Sequence, residues 1–292
     1  MNKEDYLNGQ VLLIDKPLEW TSFQAVNKIR WHIKQKFGLK KIKVGHAGTL
    51  DPLASGLLII CTGKETKNIA TYQGQIKEYT GTFTIGATTP SYDLETAINE
   101  RFSINHITGE VLTKATQKFI GEIDQKPPIF SAIKKDGKRL YELARKGETT
   151  EIASRKVSIS KFELTKTTLP EVDFKVVCSK GTYIRSLAYD FGLSVNSGAH
   201  LSSLRRTKIG EFSVDNSLSI EKFIKKLELT FAYCENPPKK ASPTLNPVNI
   251  TLSPDLKFVS SLSTTLPAKS MPGTNGELLT ILPPSLSIIE SL

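Results

Sequence analysis

A run that is apolar at every position, Leu57-Leu58-Ile59-Ile60, reads together with Cys61 as a central strand of a sheet. Directly before it, Gly45-His46-Ala47-Gly48-Thr49-Leu50-Asp51-Pro52-Leu53-Ala54-Ser55-Gly56 is punctuated by glycines that permit tight backbone paths. That loop holds one carboxylate, Asp51, between a leucine and a proline, and a basic run, Lys40-Lys41-Ile42-Lys43, precedes it. A chain like this must therefore present the Asp51 loop at the entry to a buried strand.

The flanking elements follow from periodicity. Val11 to Ile14 is a short buried strand, closed by Asp15-Lys16-Pro17. Thr21 or Ser22 caps a helix through Phe37, with Val26, Ile29, Ile33 and Phe37 at helical spacing and Gly38 as the stop. Its other face carries Lys28, Arg30, Lys34 and Lys36, either a solvated face or a basic surface. Glu65 to Tyr72 is a short helix, and Lys77 to Gly86 alternates as a half-buried strand. Residues 87–110 form a loop-rich excursion, followed by a helix at Thr113 to Ile120 and an edge strand at Pro127 to Ile133. Asp136-Gly137 is a turn, and Leu140, Leu143 and Ala144 fit a helix ending before Gly147. Val157–Leu164 pairs with Val172–Cys178, Tyr183–Phe191 is helical, Leu201–Ile209 is a basic strand, and Ile220–Leu229 is an amphipathic helix. Strands and helices mix without a strict βαβ repeat, which predicts an α+β fold with a mixed, mostly antiparallel central sheet and flanking helices. From Cys234 the clusters of Ser, Thr, Pro and Leu lose both periods, so residues 234–292 are expected as a loose tail behind a 1–233 catalytic domain.

Charge and composition narrow the function. A net charge of +10 fits a polyanionic partner, with solubility as the plain alternative. Three cysteines without CxxC spacing argue against a disulfide framework, and four scattered histidines offer no metal site. The first 15 residues lack the pattern of a signal peptide, and no apolar run reaches the ~18 residues needed to span a bilayer. A cytoplasmic, membrane-free protein is expected.

Asp51 admits two readings. Asp-Pro is a sound helix start, in which the carboxylate caps free N–H groups, worth about 1 kcal/mol. Alternatively Asp51 is a nucleophile. Arg185, in Lys180-Gly181-Thr182-Tyr183-Ile184-Arg185, has a planar fork suited to a carboxylate. If the two met in a closed site, Arg185 would hold Asp51 ionised against desolvation. Otherwise it is a surface arginine on an ordinary helix.

Several separated stretches, in one order, resemble the TruB-type tRNA pseudouridine synthases. These are Leu12-Leu13-Ile14-Asp15-Lys16-Pro17 with Thr21-Ser22, the Gly45–Leu58 stretch, Lys77-Glu78-Tyr79, Lys138–Gly147, Lys180–Arg185, and Gly198-Ala199-His200 with Leu204-Arg205-Arg206. The likeness covers residues 8–225. It implies Asp51 as the nucleophile, Arg185 as its ion-pair partner, and Tyr79 stacked on the target base with a possible part in proton transfer. It implies RNA or flipped-nucleotide contacts at His46, Tyr183 and Leu204, and a loop-supporting motif at Lys16-Pro17. Lys16, Arg205 and Arg206 are expected on the RNA backbone, with solvated charge as the alternative for the arginine pair. Asp93, in the matching Thr-rich loop, is expected to be structural. Taken alone, Tyr79 reads as a core tyrosine and His46 as a structural histidine.

The implied reaction converts uridine to pseudouridine in the T loop of tRNA after base flipping. It calls for no metal or organic cofactor and no obligate protein partner, and the enzyme is expected as a monomer. Residues 87–150 would add an RNA-clamping surface. Ala47 and Ser55 are mild departures where the family often has threonine, and residues 234–292 do not read as the small RNA-binding β module of many bacterial members. A non-catalytic RNA-binding protein on the same scaffold is the alternative. A glycoside hydrolase would need a second carboxylate, and none stands out.

Overall fold

The computed structural model describes residues 1–131, 133–135, 138–140, 142 and 152–235. These lie in a unit spanning Met1–Lys239; a second unit, Lys240–Leu292, lies outside the described residues. The expected Asp136-Gly137 turn, the helix through Leu143 and Ala144, and the tail from residue 236 also lie outside them.

The strands in chain order are β1 (Val11–Lys16), β2 (Val44–His46), β3 (Ala54–Thr62), β4 (Lys77–Ile85), β5 (Ala87–Thr88), β6 (Glu100–Arg101), β7 (Gly121–Gln125), β8 (Lys134–Lys135), β9 (Lys138–Arg139), β10 (Arg155–Thr168), β11 (Glu171–Cys178), β12 (Ala199–Ile209), β13 (Phe212–Ser213) and β14 (Leu218–Ser219). The helices are α1 (Lys3–Asn8), α2 (Ser22–Phe37), α3 (Ile69–Gly74), α4 (Gly109–Thr116), α5 (Ile184–Ser194) and α6 (Ile220–Glu235).

One ten-stranded sheet dominates, in the order β14-β1-β3-β12-β4-β11-β10-β7, with β2 on β3 and β13 on β12. Only β1–β14 and β3–β12 run parallel, so the sheet is mixed and mostly antiparallel, as expected. The apolar run is interior. Leu58 and Ile60 pack with Ala25, Ile29 and Ile33 of α2 and with Phe223 and Leu227 of α6. Leu57, Ile59 and Cys61 pack in a separate cluster with Ala47, Ile209 and Val214. Farther along the sheet, Phe83, Phe162 and Phe174 meet Leu187 and Phe191 of α5 in a third cluster.

Helix α2 forms as its sequence dictates. Thr21 and Gln24 cap each other's backbone N–H groups, and Gly38 ends the helix in a left-handed conformation with φ 59°. Other elements depart from expectation. Helix α4 starts at Gly109 rather than Thr113, because the Thr108 side chain accepts from Val111 N–H and sets the start one turn earlier. The edge strand is Gly121–Gln125, paired with β10, and not Pro127–Ile133, where two prolines lack the N–H a ladder needs. The excursion from residue 87 contains the small β5–β6 hairpin. Helix α5 begins at Ile184, with Tyr183 as its N-cap. Helix α6 runs to Glu235, into the stretch expected as tail, since no helix breaker precedes Pro237.

Candidate active site

Strands β3 and β12 place the Asp51 loop. They run side by side in parallel, with Leu204 opposite Ala54, Arg205 opposite Ser55 and Arg206 opposite Gly56. The backbones approach so closely there that a Cβ on Gly56, whose φ is 104°, would sit 2.3 Å from the Arg206 carbonyl oxygen.

No helix follows Asp51. Residues 52–53 turn, Ala54 N–H donates to the Asp51 carbonyl at 3.1 Å, and the chain enters β3. The capping role is therefore excluded, and the carboxylate is left to face the site.

Three groups hold the loop. Ser22, at the first turn of α2, accepts from Leu50 N–H at 2.8 Å and donates to the Leu50 carbonyl at 3.1 Å. Glu19 N–H donates to the Pro52 carbonyl at 2.8 Å. Arg206 spreads its guanidinium across the carbonyls of Leu57 (2.8 Å), Gly48 (3.1 Å) and Thr49 (3.4 Å).

Arg185 does meet Asp51. Its Nε lies 3.0 Å from Asp51 Oδ2 and 3.6 Å from Asp93 Oδ2, while Nη1 donates to the Ser91 carbonyl at 3.3 Å. The arginine is 4% exposed, whereas the Asp51 side chain keeps 40% of its surface accessible in a cleft. Asp93, Leu53, Ala54, Leu201, Ser202, Ser203 and Leu204 line that cleft with them. Desolvation pushes the Asp51 carboxyl above the usual carboxylate range; Arg185 pulls it down, and Asp93 and Glu95 add to the rise.

Tyr79 is buried in the cluster that holds Leu50, Ala54 and Ile184, behind the residues that line the cleft. Burial pushes its phenol up, with Arg206 working against that. His46 ends β2 beside the loop; burial pushes its imidazole down, and its Nδ1 is buried with no hydrogen-bond partner. Tyr183 caps α5, its N–H donating to Gln125 Oε1 (2.8 Å) and its carbonyl accepting from Gln125 Nε2 (3.1 Å). The Arg155 guanidinium sits 4.6 Å over its ring. Leu204 is partly exposed at the cleft wall.

Two expected phosphate contacts are not surface groups. Lys16 is 0% exposed and donates to the carbonyls of Pro17 (2.8 Å) and Trp20 (2.6 Å); burial pushes its amine down to about 8. Arg206 is 1% exposed and donates to the carbonyls of Leu57, Gly48 and Thr49. Both side chains are buried and use their N–H groups on backbone carbonyls of the neighbouring loops. Arg205 is partly exposed, but grips Asp15 with both Nη atoms at 3.1 and 2.7 Å.

Sequence pattern did not reveal Asp93 as a second carboxylate on Arg185, nor Gln125 as the clamp on Tyr183. The only trace of the first is the Thr- and Ser-rich loop itself. There Thr89 and Ser91 hydroxyls donate to the Asp93 carbonyl at 2.6 and 3.1 Å.

Residues 34–184 match the family described as TruB family pseudouridylate synthase, N terminal domain. The tRNA pseudouridine synthase B of Flavobacterium johnsoniae is 65% identical over 78% of this chain and 100% of its own length. The protein of that name from Phocaeicola vulgatus is 56% identical over 75% of this chain and 93% of its own. Among solved structures, one of an H/ACA RNP bound to a substrate RNA containing 2′-deoxyuridine contains a similar chain. It has TM-score 0.55 and 25% identity over 79% of this chain and 56% of that one. A chain of a Cbf5-Nop10-Gar1 complex gives TM-score 0.58 and 26% identity over 80% of this chain and 58% of that one. This chain thus spans little more than half the length of those structural relatives. Together with the Asp51–Arg185 site, these matches show that the chain belongs to the TruB family of pseudouridylate synthases.

Proposed function

We propose that this chain isomerises uridine to pseudouridine in tRNA, at the T loop, with Asp51 as the nucleophile. The observation that carries the reading is the 3.0 Å pair between Asp51 and a buried Arg185, both lining a small cleft. It joins the family membership, which supplies the reaction.

The target nucleotide leaves its loop at an unstacking cost of a few kcal/mol and enters the cleft. Asp51 attacks at ribose C1′ or base C6, or promotes cleavage, while the buried Arg185 holds its negative charge from behind. The N1–C1′ bond breaks, the uracil turns, a C5–C1′ bond forms, and any bond made to Asp51 breaks to return the carboxylate. The C5 proton leaves and N1 takes one up, so the base is conserved. Tyr79, its phenol kept protonated by burial, serves as the platform under the base. Leu204 forms the wall, and His46 and Tyr183 contact the RNA.

On this reading RNA grip comes from the basic catalytic domain, which runs to the end of α6 at Glu235, with residues 87–150 as a clamp and no recognisable RNA module in the sequence after it. The enzyme works as a cytoplasmic monomer. No helix among the described residues is long and apolar enough to cross a membrane.

Incubation with a T-arm stem-loop, followed by nucleoside analysis, tests the substrate. Pseudouridine at a single T-loop position is expected; unmodified RNA would overturn the reading.

A further inference from the structure

The loop that completes the Arg185 site contains a residue in an unfavourable conformation. Tyr92 has φ 63°, left-handed and costly for a bulky side chain. It stands between Ser91, whose carbonyl receives Arg185 Nη1, and Asp93, whose carboxylate lies 3.6 Å from Arg185 Nε. The reversal at Tyr92 lets two neighbours address one guanidinium. Its ring stacks on Tyr189, with centroids 4.2 Å apart and planes 19° from parallel. Tyr189 lies one turn after Arg185 on α5, so a single helix supplies both the arginine and the surface that holds the loop wrapped around it. The Tyr92 carbonyl accepts from Leu201 N–H at 2.9 Å, which ties the same residue to the cleft wall on β12.

We propose that the Tyr92–Tyr189 stack is a positioning device that keeps Ser91 and Asp93 on Arg185, and thereby fixes Arg185 against Asp51. Neither tyrosine touches the reacting atoms. The inference rests on the proposed function above.

The test reads uridine isomerisation against pH in wild type, Tyr92→Phe, Tyr92→Gly and Tyr189→Leu. Phe keeps the stack, Gly keeps the left-handed backbone without it, and Leu removes it from the helix side. The titratable and charged groups around Asp51 are Arg185 from α5, Asp93 and Glu95 from the loop, Lys16 from β1 and Tyr79 from β4. Loosening Arg185 removes the influence that lowers the Asp51 carboxyl, so the acid limb of kcat moves to higher pH. In Tyr92→Gly and Tyr189→Leu, kcat at neutral pH falls by roughly tenfold to a hundredfold with KM little changed; Tyr92→Phe behaves as wild type. Wild-type kcat and an unmoved limb in either stack-deleting variant that folds would overturn the proposal. Loss of kcat with an unmoved limb would also overturn it, as mere destabilisation. Should Tyr92→Gly not fold, Tyr189→Leu decides alone; should neither fold, Tyr92→Ser at permissive temperature, read for the same limb, decides. An inactive wild type would instead remove the functional reading beneath it.

Discussion

Ser22 and Leu50 exchange two hydrogen bonds, Leu50 N–H to Ser22 Oγ at 2.8 Å and Ser22 Oγ to the Leu50 carbonyl at 3.1 Å. One hydroxyl therefore replaces a strand partner for the residue just before Asp51, and joins the start of α2 to the reactive loop. Ser22 is 3% exposed, so its removal leaves both Leu50 groups unpaired. Ser22→Ala should cost about 1–3 kcal/mol in denaturant unfolding. It should lower kcat more than it raises KM, because the loop shifts while the RNA surface stays intact. Unchanged unfolding would show that water replaces the hydroxyl.

Arg206 and Arg205 are adjacent in sequence and opposite in role. Arg206 is buried against Gly48, Thr49 and Leu57 carbonyls, while Arg205 is half-exposed on Asp15. Arg206→Lys should destabilise the fold by about 3 kcal/mol or more, since an ammonium cannot reach three separated acceptors and its charge stays buried. It should leave the salt dependence of RNA affinity unchanged. A phosphate contact, by contrast, would lower the slope of log K against log salt by about one on removal. A reduced slope for Arg206→Lys would contradict the assignment.

The pH profile follows from Asp51. Its carboxyl is raised, chiefly by desolvation, and only the carboxylate can attack. The acid limb of kcat/KM should lie above the ordinary carboxylate value of about 4. The same shift has a sign for stability. A carboxyl raised by folding contributes stability below its unfolded value and loses it as pH rises through the folded one. At neutral pH the ionised Asp51 is thus a net cost, and Asp93 still pairs with Arg185 without it. Asp51→Asn should therefore melt at or above the wild-type temperature. A clearly lower Tm would show that the ion pair outweighs desolvation.

Gln125 is 0% exposed and clasps both backbone groups of Tyr183, two residues before Arg185. Gln125→Ala should reduce stability by about 1–3 kcal/mol in thermal or denaturant unfolding. Gln125→Glu should fare no better, because a carboxylate cannot donate to the Tyr183 carbonyl. Wild-type stability in either variant would contradict that clasp.

Much of this molecule was legible as sequence. The capping box at Thr21 and Gln24, the Gly38 stop, and the apolar Leu57–Cys61 strand are set by local chemistry, and they stand where periodicity puts them. The meeting of Asp51 and Arg185 joins the loop before β3 to α5 and was legible only through family order. What failed was burial of charge. Lys16 and Arg206 read as cations for phosphate, yet the fold uses them on carbonyls, a fate that depends on which backbone groups the loop leaves unpaired. The Asp-Pro cap failed for a related reason, since pairing with β12 draws Ala54 straight into a strand. Asp93 was hidden because its role depends on the reversal at Tyr92, which no local pattern announces.

Tritium release from C5-labelled uridine in a T-arm RNA, compared between wild type and Asp51→Asn, tests the central claim most directly. The wild type should release label as pseudouridine forms, and Asp51→Asn should release none above background while melting like a folded protein. Full release by Asp51→Asn, or none by the wild type, would contradict Asp51 as the nucleophile of a uridine isomerase.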